Sequence, residues 1–229
     1  MESISTDGNF IYVLSSLSHT KSNKLKPKRS KFVRLKRTRS GMKLVSEINL
    51  YDVLIGLSKS DQTDAITRQF LERSIINKNI DIESHAMRDN VLFLGFKSPS
   101  NDENHAVILK IDDVDALFAG GVSHAGIWLN LDLSEPETGV MSHLSDFAFS
   151  SEKLYLLSVS SNLPEVTSYL WRYSVADGSL LRLMEFPGVR AEGISVGQDE
   201  GVAMIVVDGN AQAPSRFLLA DILGGNEIQ

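Results

Sequence analysis

The chain has 229 residues, 42 % of them apolar, and a formal net charge of −6, which supports a packed core and excludes a disordered chain. It contains no cysteine, which excludes disulfides, thiolate metal sites and cysteine nucleophiles and fits a reducing compartment. No apolar run reaches the roughly 20 residues of a spanning helix. The opening MESISTDGNF has neither region of a signal peptide, so a soluble, cytoplasmic protein without a membrane partner is expected.

In chain order, Glu2-Ser-Ile-Ser leads through the polar turn TDGN into the apolar strand FIYVLSS, then KFVRLKRT and MKLVSEINL. The segment YDVLIGLSKSDQTDAITRQFLERSI follows, with Leu54, Leu57, Ala65, Phe70 and Leu71 at helical spacing, and predicts one inserted amphipathic helix covering an outer surface. Glu83-Ser-His-Ala, the turn MRDN and the strands VLFLGFK, HAVILKID and GIWLNLDL repeat the first pattern, and DDVDALFAGG between them reads as one helical turn stopped by Gly120 and Gly121. Ser145-Asp146-Phe-Ala opens a third set (SSEK, LYLLSVS, SYLWRYSV, LLRLMEF). Glu192-Gly-Ile-Ser opens a fourth (GQDEG, VAMIVVD, RFLLADIL), which lacks a clear last strand.

Short strands split by Gly/Asp/Asn turns are antiparallel meanders. Four strands recurring along a chain are propeller blades. The acids at positions 2, 83, 146 and 192 are 81, 63 and 46 residues apart, uneven because rim loops vary. The expected fold is all-β, a β-propeller or truncated propeller of about four blades with one short inserted helix. It is read as a single domain over 1–229, with units of about 1–50, 80–134, 143–187 and 190–222 and the helical insertion at about 51–74. An incomplete ring would leave an open edge for self-association.

The first strand of a blade lines the propeller channel, so Glu2, Glu83, Asp146 and Glu192 are expected near one mouth of it. Converging carboxylates bind a cation, share protons or pair with bases. Oxygen ligands without thiolates favour Ca²⁺ or Mg²⁺. The plainer reading, and the preferred one, has each acid accept backbone N–H groups of the neighbouring blade. His85, two residues from Glu83, is the candidate general base, against the preferred reading of a packed core histidine. The five histidines show no HxH or HxxxH pair, so no local zinc site is expected.

Arg190 shares a strand face with Glu192 and serves either as its salt-bridge partner or as an anion contact, and Lys97 sits at a strand end before Pro99. Residues 21–39 carry ten Lys or Arg and no acid, leaving 13 basic against 29 acidic residues elsewhere, a balance of −16. His19, Lys28 and Arg29 are the anion or substrate contacts this stretch suggests. A nucleic-acid partner is not expected, because stacking aromatics are sparse and the overall charge is negative. A solvated loop with strand-like KFVRLKRT, pairing with acidic neighbours, is preferred.

Taken together, ESISTDGNFIYVLSSLSHTKSNKLKPKRSKFVRLKR, IESHAMRDNVLFLGFKSPSNDENHAVILKI, LSDFAFSSEKLYLLSVS and FPGVRAEGISV resemble a bacterial propeller-like family, a domain of unknown function related to esterase-like and phytase-like propellers. The chain departs from the family pattern at Ser84-His85 in place of Gly-Leu, at Asp146 shifted by one, and at Lys97 in place of Arg. Family members usually begin further upstream, which fits the truncated reading. The resemblance implies a scaffold or binding protein for an unidentified small ligand. Its phytase-like relatives imply calcium-assisted phosphoester hydrolysis as the alternative, with the four acids as ligands and His85 or a metal-bound water as base. A polyanion-binding module through residues 21–39 is the weaker third reading.

Overall fold

A computed structural model describes the chain except for residues 1, 122, 136–137, 161–164, 198–200, 210–213, 224–225 and 229, so the turn expected at GQDEG lies largely outside the described residues. The described chain folds as four separate four-stranded antiparallel sheets, each ordered as it runs in sequence. This is the blade of a β-propeller, used four times. The strands cluster into two compact units, 1–132 and 133–229, of two blades each.

The first blade contains β1 (Ser3–Thr6), β2 (Ile11–Leu14), β3 (Lys31–Thr38) and β4 (Gly41–Asn49). The second contains β5 (Asp81–Arg88), β6 (Val91–Ser98), β7 (Ala106–Ile111) and β8 (Ala125–Leu131). Asp89 and Asn90 join β5 to β6 with φ of +52° and +60°. Positive φ at both central residues is the hairpin turn whose twist suits the flanking strands, and Asp and Asn tolerate it best among non-glycine residues. One buried cluster links the two blades of this unit, with Tyr12, Leu14 and Phe32 from the first packing in the same core as Leu92, Leu94 and Leu109 from the second.

The helical insertion is two helices, α1 (Leu50–Leu57) and α2 (Ala65–Asn77), where the sequence predicts one. The break has a local cause. Asp64 caps a new helix, its carboxylate accepting from Thr67 N at 3.0 Å and from Thr67 Oγ1 at 2.7 Å. Asn49 caps α1 through Tyr51 N and Asp52 N. Leu50, Leu54, Leu57, Phe70 and Leu71 are buried, whereas Ala65 is exposed. The helices therefore belong to the unit's core as well as covering it. Thr67 Oγ1 also accepts from Ile127 N at 2.8 Å, tying α2 to β8. The expected single turn is α3 (Val114–Phe118), followed by Gly120 at φ +80°.

The second unit contains β9 (His143–Ser150), β10 (Lys153–Ser160), β11 (Thr167–Ser174) and β12 (Leu180–Pro187), then β13 (Ala191–Val196), β14 (Val202–Val207), β15 (Arg216–Asp221) and β16 (Asn226–Ile228). The last blade therefore has the fourth strand that the sequence does not reveal, since among the described residues β16 has three residues, paired with Leu219, Ala220 and Asp221. Tyr155, Leu157, Ala203, Ile205 and Ala220 share this unit's core. Residues 31–38 of the basic stretch are β3, the strand that KFVRLKRT predicts, with a bulge between Arg34 and Leu35 in its pairing to β4. Among the described residues no helix is long and apolar enough to cross a membrane.

Candidate functional site

The acids singled out in the sequence all fall on or beside the first strand of a blade. Glu2 precedes β1, Glu83 is the third residue of β5, Asp146 the fourth of β9 and Glu192 the second of β13.

In the first unit, Lys97 Nζ lies 3.2 Å from Glu83 Oε1, with the Glu83 side chain only 15 % exposed. The antiparallel register makes this pair, since β5 and β6 set Asp81 opposite Ser98 and Ile82 opposite Phe96. The sequence reading of Lys97 as an anion contact thus meets a lysine whose nearest partner is an acid of its own blade. Asp81, which the sequence reading passed over, sits two residues before Glu83. Its carboxyl is pushed up to about 6, by burial first and then by Glu83 and Glu2, with Lys97 and Arg29 acting in the opposite sense. Its Oδ1 is enclosed without a hydrogen-bond partner. The signal available in the sequence was the Asp-x-Glu spacing, which on a strand puts both acids on one face.

His85 is 2 % exposed and enclosed in the core. Its Nδ1 lies 2.8 Å from Ser3 Oγ, and its backbone N donates to the same oxygen at 3.1 Å. The ring meets Phe32 edge-on at 5.5 Å. Burial lowers its pKa to about 3 and a backbone contact with Tyr12 opposes this only in part, so the imidazole stays neutral. Ser3 and His85 form the joint between β1 and β5.

The second unit uses the same kind of joint. Asp146 Oδ2 accepts from Ile194 N at 2.9 Å, and Ser145 Oγ donates to Ala191 O at 2.6 Å, so β9 is fastened to β13. Ser168 Oγ donates to Val189 O at 2.7 Å and accepts from Ala191 N at 2.9 Å. Arg190 Nη1 lies 3.7 Å from Glu192 Oε1, both partly exposed. The serines of these joints were missed in the sequence, where a Ser beside an apolar strand has no distinguishing pattern.

The cations of the basic stretch scatter. Lys28 is exposed on a 3-10 turn, Pro27–Arg29. Arg29 folds back to donate to Ser18 Oγ at 2.9 Å. His19 packs edge-on against Tyr51 at 5.6 Å, and burial with Lys78 nearby lowers its pKa. Lys31 pairs with Glu47 at 2.7 Å, and Arg34 pairs with Asp115 while lying over the Phe10 and Phe118 rings. Among the described residues, no group of three or more His, Asp or Glu side chains is arranged to hold a metal ion.

No protein-family model matches the chain, and no curated protein matches it. Solved structures do resemble it at low identity. A chain of a nidogen/laminin complex aligns at 12 % identity and TM-score 0.44, over 87 % of this chain and 57 % of its own length. A prolyl endopeptidase aligns at 12 % and 0.44, over 98 % of this chain and 25 % of its own. The GH74 enzyme of Niastella koreensis aligns at 8 % and 0.46, over 99 % of this chain and 36 % of its own. The chain thus spans 57 % of the first of these and 25 % of the second.

Proposed function

We propose that this protein is a non-catalytic binding scaffold whose inner-strand acids serve the structure of the blades, with Asp146 joining one blade to the next. The observation that carries the reading is Asp146, whose Oδ2 accepts the Ile194 amide of the next blade at 2.9 Å. A backbone N–H that must otherwise go unpaired makes such an acceptor valuable to the fold, at about 1–3 kcal/mol. Glu83 and Glu192 add ion pairs within their own blades, with Lys97 and Arg190.

The rival reading, a Ca²⁺-assisted phosphoester hydrolase, draws its support from Asp81. A carboxyl held near 6 beside Glu83 and Glu2 is a place where added positive charge would be welcome. His85 is enclosed in the core, so the base of such a hydrolase would be a metal-bound water.

Substitution at Asp146 separates acceptor from ligand. The joint role predicts that Asp146→Asn, which keeps an oxygen for Ile194 N, holds most of the stability. Asp146→Ala should lose about 1–3 kcal/mol in chemical denaturation. Equal loss in both variants, accompanied by loss of a cation-dependent stabilisation, would instead mark Asp146 as a metal ligand.

A further inference from the structure

A cleft of about 610 Å³ opens in the first unit, away from the inner-strand acids. Its volume lies inside the range of about 300–1,000 Å³ typical of small-molecule sites. One wall is a stripe of α1 and the turn after it: Asn49, Asp52, Val53, Gly56, Leu57 and Ser60. These positions recur at i, i+3, i+4, i+7, i+8 and i+11, one face of a helix. The facing wall is the end of α3 and the turn after it, with Leu117, Gly120, Gly121 and Ser123.

Gly56 has no structural reason to be glycine. It lies inside α1, where glycine costs about 0.5–1 kcal/mol relative to alanine. Its φ is not positive, and a Cβ built there meets nothing within 4 Å. The two glycines opposite have reasons of their own. Gly120 takes φ +80°, and a Cβ at Gly121 would meet the Ala116 carbonyl oxygen at 3.0 Å. What Gly56 does is leave the cleft open.

The polar groups of the walls are mostly committed. Asn49 Oδ1 accepts two α1 amides, Ser60 Oγ accepts from Gln62 N, and Ser123 Oγ donates to Asp113 O. The Asp52 carboxylate is the one ionisable group in the walls, and among the described residues it takes part in no ion pair or side-chain hydrogen bond. Asp52 is exposed, and the helix dipole favours an acid in the first turn, but the residue also lines the cleft. No Lys or Arg is among the residues lining the cleft. The rest of the surface is apolar, from Ile48, Val53, Leu57 and Leu117.

From this we infer that the cleft between α1 and the α3 turn binds an organic cation with an apolar body, of the alkylamine or arylalkylamine class, its ammonium held by Asp52 and its body passing over Gly56. An anion would meet an unpaired carboxylate with no cation to offset it. The inference is independent of the role given to the inner-strand acids, and its failure would leave that role untouched.

The test uses the full chain, amide NMR shifts, and three probes of one shape: phenethylamine, 2-phenylethanol and phenylacetate. Saturable shifts with phenethylamine are expected, centred on residues 48–60, 117–121 and 123, with the alcohol at least tenfold weaker and phenylacetate silent. Asp52→Asn should weaken the amine tenfold or more and leave the alcohol unchanged, while Gly56→Phe should abolish both. Gly56→Ala, a helix-favouring change, keeps the test intact if the phenylalanine variant does not fold, and should weaken binding while the melting temperature holds or rises. No saturable shift with the amine, shifts centred elsewhere, equal binding of amine and alcohol, or an Asp52→Asn variant that binds the amine as the parent does would each overturn the inference.

Discussion

Asp81 and His85 lie four residues apart on β5 and carry opposite pH signatures. Asp81 has a raised folded-state carboxyl, at about 6 against an ordinary 3.8. Its proton is bound more tightly in the folded chain, so its contribution is most favourable below pH about 4 and is lost as pH rises through about 6. Asp81→Asn should therefore stabilise the protein at pH 7.5, by about 1–2 kcal/mol once partial exposure is discounted. That gain should shrink toward zero near pH 4, as read by urea denaturation at both pH values. A gain independent of pH would show that the carboxyl is not held near 6. His85 runs the other way, with a folded-state value of about 3 against an ordinary 6.5. Its contribution is present above pH 6.5 and is lost as pH falls from there toward 3, because the unfolded chain takes up the proton first. His85→Gln should cost about 1–3 kcal/mol at pH 7.5 through lost packing and the broken Ser3 joint. The difference from the parent should narrow by pH 5, and a constant difference would contradict a buried neutral imidazole.

These two residues also show what a sequence conceals at this scale. Glu83 is conspicuous because it opens a repeated unit, and the acids at 2, 146 and 192 were found in the same way. Asp81 matters more electrostatically, yet its carboxyl is raised by burial first and then by Glu83 and Glu2, against Lys97 and Arg29, and the burial, Glu2, Lys97 and Arg29 are all brought to it by the fold. His85 beside Glu83 read as a base and an acid two residues apart. The bulged pairing of β5 with β6 and the contact with Phe32 that enclose it are tertiary facts.

Among the elements, strands were legible wherever length and alternation were sufficient. The hairpin at Asp89-Asn90 and the outer strands β4, β8 and β12 fall where the turn residues and apolar runs predict them. Two elements escaped for physical reasons. β16 is too short to show a pattern, and its pairing with β15 defines it. The break between α1 and α2 falls at the polar run of residues 58–64, which has no Gly or Pro to mark it, although Asp64 with Thr67 three residues later is a cap signal. That cap is testable. Asp64→Ala should destabilise the first unit by about 1–2 kcal/mol, losing the Thr67 amide and hydroxyl partners. Asp64→Asn should recover most of this, and an unperturbed Asp64→Ala melt would show that α2 is held by Phe70 and Leu71 alone. Asn49→Ala should cost about 1 kcal/mol at the start of α1, by the same measurement.

For the whole molecule, four meanders recurring with inner-strand acids made the fold class readable before any coordinates. The role of those acids was not readable, because a ligand ring and a set of blade joints write the same residues at the same positions. Asp146 reaches an amide of the next blade at 2.9 Å, and Glu83 and Glu192 lie 3.2 Å and 3.7 Å from basic side chains. The charge contrast between residues 21–39 and the remainder was plain in composition. Its partners, Glu47 and Asp115, became visible only once β4 and α3 were placed.

The most direct test of the scaffold reading is a thermal melt of the full chain in EDTA and then with Ca²⁺, Mg²⁺ or Mn²⁺. Acids that serve as blade joints predict melting temperatures that agree across all four conditions, with no selective rise. A cation held by the folded chain alone would add about 2.7 kcal/mol at a hundredfold excess over its dissociation constant, a rise of roughly 5–10 °C at this chain length. A rise of that size with Ca²⁺ alone, abolished by replacing Glu83 or Asp146, would contradict the scaffold reading and establish a metal site.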